Sequence, residues 1–281
     1  MTLTWPLVGA VLFGAFLHAS WNALVKSSSD KALDTAVIHL AGSVLAIPLV
    51  IVVGWPPAQA WPYVIASLTI HIAYYIALTG AYNHGDLGLT YPLMRGTAPL
   101  LVALSASVTL GETLSPLAWA GVIGVSCGVL TLGLSRHALD SPRAVGFALA
   151  NAVVIALYTV VDGLGVRASG HALQYVATLF VLDGWPFAIL VFMRRGPRVA
   201  IPYAKARWPV ASMAALASFG SYGIALWAMT RAPVATIAAL RETSVLFAAL
   251  LGVVFLKEAF NVRRAIGTAT IVAGVMALRM G

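Results

Sequence analysis

The sequence predicts an all-α polytopic membrane protein of ten transmembrane helices, built as two five-helix repeats inserted in opposite senses. Three observations carry that prediction. Only 9% of the residues are charged and 60% are hydrophobic, with a mean hydropathy of +0.92. Soluble domains carry roughly 25% charged residues, and a chain with so few has too little polar surface to face water on all sides. The apolar residues also fall into ten runs, each near the roughly 20 residues that cross a hydrocarbon core. Finally, one charged motif occurs twice, 146 residues apart.

The first run, 7–25, lacks the basic start and small-residue cleavage site of a signal peptide, so it is expected to be a permanent helix. The second, 35–53, ends at Gly54-Trp55-Pro56-Pro57, where proline removes backbone donors. The third, 64–82, ends at Asn83-His84-Gly85-Asp86. The fourth, 89–110, carries Arg95 between Pro92 and Pro99, and the prolines are expected to bend it and open room around the arginine. The fifth, 117–134, carries Gly121, Gly124 and Gly128, a spacing that lets helix backbones approach within one chain or between two. The sixth, 145–161, follows Asp140-Ser141-Pro142-Arg143. The seventh, 173–193, contains Asp183-Gly184-Trp185-Pro186, read as a helix break, and precedes a basic connection over 194–207. The eighth, ninth and tenth runs cover 210–229, 234–256 and 265–278. Strands are disfavoured. Barrel strands are segments of roughly ten residues with alternating polarity, whereas these runs are continuous, and helices satisfy their own backbone in lipid.

Charge gives the orientation. Of the 17 Lys and Arg residues, twelve lie in connections after odd-numbered runs, three lie on the other side, and Arg95 and Arg241 lie within runs. The positive-inside rule puts the twelve in the cytoplasm and both termini outside. The expected setting is the lipid bilayer of a plasma (inner) membrane, bacterial in type. The net charge of +8 is thereby explained by orientation, and no nucleic-acid partner is expected. Cys127 is the single cysteine, so no intrachain disulfide forms. The six histidines show no metal-ligand spacing, and no phosphate loop, H-E-x-x-H or G-x-S-x-G occurs. No cofactor, metal or catalytic residue is therefore expected.

The repeat is the most specific feature. LTYPLMRGTAPLLVALSASVTLGE (89–112) aligns without gaps on ATIAALRETSVLFAALLGVVFLKE (235–258). Thr90 falls on Thr236, Arg95 on Arg241, Thr97 on Thr243 and Glu112 on Glu258, and the same offset carries Gly121 to Gly267 and Gly128 to Gly274. Apolar letters match by chance in any two helices; paired arginines and glutamates do not. The halves are taken as 1–137 and 138–281. Five helices per half place the second upside down, the arrangement that lets one central site face either side of a membrane in turn.

The stretches YPLMRGTAPLLVAL, LGE at 110–112, ALRETSVLFAALLGVVFLKE and HASWNALVK at 18–26 resemble the ten-helix EamA-type branch of the drug/metabolite transporter superfamily, over essentially the whole chain. The resemblance implies a secondary transporter, with a central cavity lined by helices 1, 3, 4, 6, 8 and 9 and with helices 5 and 10 peripheral.

The candidate substrate-binding residues follow from cost. A charge at mid-membrane costs at least about 2.5–3.5 kcal/mol, so it should face a cavity or a partner. Arg95 and Arg241 suit an anionic group, because the guanidinium fork matches carboxylate or phosphonate oxygens; the alternative is structural glue. Glu242 aligns with Gly96 and so has no counterpart in the first half. It suits a substrate amine, a coupling proton, or the neutralisation of an arginine. His18, Trp21, Asn22 and Lys26 share one face of the first helix, and Tyr74 and Tyr75 lie deep in the third. The sixth adds Tyr158 and the eighth Ser221 and Tyr222. Lys26 and Asp162, near the ends of their runs, are expected to reach the interface, and Asp183 ranks below Glu242. The expected function is a secondary transporter, an exporter or exchanger, of an amino acid or other zwitterionic or anionic metabolite. Its partners are that small molecule and a coupling proton, and monomer and homodimer are both compatible with one chain holding both halves. The alternatives are an exporter of drugs or sugars with structural arginines, or a non-transporting sensor or subunit.

Overall fold

The computed structural model describes residues 3–26, 28, 30–85, 87–133, 141–256 and 262–281; the side chains of Lys26, Thr79, Tyr82, 87–89 and 252–256 lie outside the description, as does the whole of Glu258. The first half forms α1 (Trp5–Lys26), α2 (Lys31–Val53), α3 (Trp61–His84), α4 (Leu87–Thr109) and α5 (Pro116–Gly133). The second forms α6 (Pro142–Ser169), α7 (Ala172–Arg195), α8 (Pro197–Met229), α9 (Val234–Arg241), α10 (Ser244–Leu256) and α11 (Val262–Met280). Among the described residues there is no strand, and eight segments are long and apolar enough to cross a membrane. Helix starts follow local chemistry. Asp30 accepts from the backbone N–H groups of Ala32 and Leu33, each at 3.1 Å, and Ser141 accepts from Ala144 at 3.3 Å. Prolines open α5, α6 and α8, where a missing N–H costs nothing.

The structure corrects three sequence expectations. The ninth run is two helices, interrupted at Glu242 and Thr243. There the N–H groups of Glu242 and Thr243 reach back only three residues, to Ala239 and Leu240, each at 3.1 Å. Thr243 Oγ1 also donates to the Leu240 carbonyl at 2.7 Å. The helix α4, by contrast, carries Pro92 and Pro99 within one continuous span. The connection expected over 194–207 is a single residue, Gly196, whose φ of +78° suits glycine; the basic stretch after it is the first turns of α8. At about 50 Å for 33 residues, α8 exceeds the thickness of a bilayer core. The expected break at 183–186 is also absent, because α7 continues through Pro186. Gly184 is there for contact: a side chain would run into the backbone of His39 on α2.

The packing pairs each half with the other. α5 packs on α11, α2 on α7, and α4 on α9. α3 packs on α6, and the equivalent pair after exchange of halves, α8 and α1, packs as well. The glycines explain the closest of these contacts. A Cβ on Gly121 would lie 2.8 Å from the carbonyl of Gly274, and one on Gly128 2.9 Å from that of Gly267. Those four positions are the two pairs matched by the repeat, crossed over, so α5 and α11 meet through the same glycines seen from either half.

Ion pairs tie the two ends of the bundle. At one end Asp34, buried on α2, holds Arg207 on α8 through two bonds, Nε at 2.8 Å and Nη2 at 3.3 Å. At the other, the Glu112 carboxylate after α4 caps α9. It accepts from the backbone N–H of Val234 at 2.9 Å, from that of Ala235 at 3.4 Å, and from Arg167 Nη2 at 2.9 Å. Arg167, in the last turn of α6, donates onward to the carbonyls of Met229 and Ala232. The first glutamate of the repeated ending, a Leu, one residue, then Glu, is therefore a cap supplied by the first half to a helix of the second.

Candidate functional site

The break after α9 and the middle of α4 face each other. Arg95, on α4, and Arg241, the last residue of α9, line one small cavity with Glu242. Ala98, Pro99 and Val102 close it along α4, and Ile155, Tyr158 and Thr159 along α6. Its free space is little larger than a water molecule. The lining comes from α4, α6 and the α9 break, with α1, α3 and α8 standing behind it.

Three charged groups share this space. Arg95 Nε lies 2.9 Å from Glu242 Oε2, and both side chains are buried. The approach is close but misaligned: Arg95 Nε and Nη2 and Glu242 Oε2 make no hydrogen bond. Tyr91, one turn back on α4, lies within electrostatic reach of the same guanidinium. Arg241 lies over the ring of Tyr222, 5.3 Å from its centroid, a cation–π contact. Among the described residues no carboxylate is within ion-pair range of Arg241. The cavity therefore carries two cations and one anion, with donors aimed into it that have no acceptor.

The remaining candidates divide. Tyr158 lines the cavity, with His71 stacked on it at 4.8 Å and Tyr74 edge-on at 6.1 Å. His18 on α1 is within electrostatic reach of both arginines. It accepts from Trp21 Nε1 at 3.3 Å, while Asn22 Nδ2 donates to its backbone carbonyl at 2.8 Å, so that polar stripe is satisfied largely within α1. Tyr75 points elsewhere. It stacks on Phe187 at 4.7 Å, and its hydroxyl lies 3.4 Å from both Asp183 Oδ2 and His39 Nδ1. Ser221 is buried where α8 meets Gly14 of α1.

One residue departs from its sequence reading altogether. Asp162 does not reach the interface: it is 0% exposed, and α6 continues past it to Ser169. Tyr175 donates to Asp162 Oδ1 at 2.9 Å and Tyr222 donates to Oδ2, while Ser67 Oγ of α3 lies 3.3 Å from His71 Nδ1. The apolar residues of Gly163–Val166, read as the start of a connection, were the available signal that the helix goes on. The Asp183–His39 pair, at 3.8 Å, was equally hidden, because the two residues are far apart in sequence. Among the described residues no grouping of His, Cys, Asp and Glu could hold a metal ion.

Comparison with known proteins bears on the second half and on the whole fold. Residues 142–280 match the EamA-like transporter family. One crystal structure of a protein, 22% identical in sequence, superimposes with a TM-score of 0.73 over 96% of this chain and 97% of that one; at that identity the likeness is one of fold. No curated protein matches the chain.

Proposed function

From the premise that this chain belongs to the EamA-like transporters of the drug/metabolite transporter superfamily, to which its second half matches directly, we propose that it moves a small zwitterionic or anionic metabolite, an amino acid first among them, by alternating access. The observation that supports this reading is the misaligned Arg95–Glu242 pair in one buried cavity with Arg241, which has no carboxylate within ion-pair range among the described residues. A buried guanidinium with unused donors carries a desolvation cost that a bound oxyanion relieves. A zwitterion gives its carboxylate to the arginines and its ammonium to Glu242, so that each of its own charges meets an opposite one, and a monoanion would bring the two arginines and Glu242 to neutrality. Organic cations gain only Glu242 and meet two guanidiniums.

The α9–α10 break fits the same role. Interrupted helices mark transporter sites, because their ends present backbone groups to a solute at mid-membrane, and short tightened turns inside helices are common hinges. The cavity is too tight for a metabolite in this state, so binding requires α4 and α9 to separate, as alternating access demands. The protein acts as an exporter or exchanger in a plasma (inner) membrane, with the Arg207 end in the cytoplasm.

A thermal-shift screen of the purified protein tests the proposal, using glycine, glutamate, malonate, methylphosphonate, glucose and tetraphenylphosphonium. A ligand at a hundred times its Kd adds about 2.7 kcal/mol of stability. Stabilisation by the zwitterions or anions, lost in Arg241→Ala, is the expected result. Stabilisation confined to glucose or the organic cation would make the arginines structural and move binding to Glu242 and the tyrosines.

A further inference from the structure

The molecule buries two carboxylates near its centre, and their surroundings differ in kind. Glu242 has a guanidinium at 2.9 Å and a second one in the same cavity. Asp162 is fully buried and, among the described residues, forms no ion pair; its hydrogen-bond partners are the hydroxyls of Tyr175 and Tyr222. A carboxylate kept charged at that depth needs a cation or many donors. A carboxylate that takes a proton needs neither. From this geometry we propose that Asp162 is a proton-binding site, linked through Tyr222 to the arginine cavity, and that its proton is the one exchanged during transport.

The linkage is physical and short. Tyr222 gives its hydroxyl to Asp162 Oδ2 and its ring face to Arg241. When a proton adds to Oδ2, that oxygen becomes a donor. The Tyr222 hydroxyl must then turn its own hydrogen away, and no other covalent bond changes. On release, the proton leaves the same oxygen and Tyr222 donates again. Asp162 stands on α6, and its hydrogen-bond partners stand on α7 and α8, so each protonation changes what joins those three helices. The ionisable groups around it are His71 from α3, Tyr175 from α7, Tyr222 from α8 and Tyr158 one turn back on α6. Beyond Tyr222 lies Arg241, which also faces Glu242 and Arg95 across the cavity. An anion drawn to Arg241 pulls on the tyrosine that holds Asp162, which makes substrate and proton occupancy interdependent in both directions.

The proton site is tested without any substrate, by infrared titration of the purified protein in lipid. The carboxylic-acid carbonyl band should grow as the pH falls. Labelling aspartate carboxyls with carbon-13 should shift that band in the wild-type chain, and labelling glutamates should not. The band should be lost in Asp162→Asn, persist at a new frequency in Asp162→Glu, and be unchanged in Asp183→Asn. A band that follows the glutamate label, or that survives in Asp162→Asn, overturns the proposal.

Coupling rests on the transport reading and is tested separately in proteoliposomes, with radiolabelled glycine and malonate as probes. A gradient of one pH unit drives up to about tenfold accumulation for one proton per solute. Asp162→Asn should lose that response while still exchanging probe at equal pH, and a wild-type protein indifferent to the gradient overturns the coupling. If neither probe moves, the substrate class is wrong while the infrared result still decides the proton site.

Discussion

Arg241 and Arg95 are matched in the repeat but are held differently. Arg95 lies 2.9 Å from Glu242, whereas Arg241 lies over the face of Tyr222 and, among the described residues, has no carboxylate within ion-pair range. Loss of Arg241 should therefore weaken a bound carboxylate most. A charge-assisted hydrogen bond contributes about 1.5–3 kcal/mol, so Arg241→Ala should raise the Kd of a stabilising zwitterion roughly ten- to hundredfold, measured by calorimetric titration. Lysine keeps the charge but loses the fork, so Arg241→Lys should fall between the two. Arg95→Ala should also strand the buried Glu242 carboxylate, and it should lower the unfolding temperature as well as the affinity. The two arginines and Glu242 were legible from sequence because a charge inside an apolar run always needs a reason. Asp162 was not, because its significance depends on where α6 ends, and Gly163 and Gly165 resemble the start of a turn. Only the approach of Val234 and Tyr175 to those two glycines shows that they serve close packing inside a continuing helix.

At the scale of elements, two contacts hold α9 and α11 against the first half. The Glu112 cap satisfies backbone donors at the start of α9 and pairs with Arg167. Replacing a capping carboxylate typically costs about 0.5–2 kcal/mol, and Arg167 would lose its ion pair as well. Glu112→Ala should thus reduce unfolding stability by about 2 kcal/mol, read from denaturant unfolding in detergent micelles, with Glu112→Gln intermediate. On α5, Gly128 faces the Ile271 side chain and, behind it, the backbone of Gly267 and Ile271, which cannot yield as a side chain can. Overpacking of that kind costs about 1–3 kcal/mol, so Gly128→Val should destabilise the fold by that amount in the same assay. Exposed positions of α5 such as Ile123 should tolerate valine. Helix existence was written plainly in the apolar runs. Helix interruption was not: the prolines of α4 are accommodated, while the proline-free ninth run breaks beside its own buried charges.

For the whole molecule, the orientation proposed from charge has a direct check. In a Cys127→Ser background, a cysteine replacing Arg231 should react with a membrane-impermeant maleimide in intact cells. One replacing Lys205 should react only after permeabilisation. The reverse pattern would place the Arg207 end outside and invert every statement about sidedness. The class of the protein, its ten apolar segments and the recurrence of an arginine and a glutamate in both halves were determined by sequence alone, because lipid leaves a helix few ways to satisfy its backbone and makes each stray charge conspicuous. The tertiary structure alone decided that Glu112 caps the opposite half, that Glu242 faces Arg95, and that Asp162 sits among tyrosines of neighbouring helices. Each of those contacts joins residues 13 to 147 positions apart, and the local pattern of a sequence carries no record of which helix faces which; only the packing of the two halves brings those partners within reach.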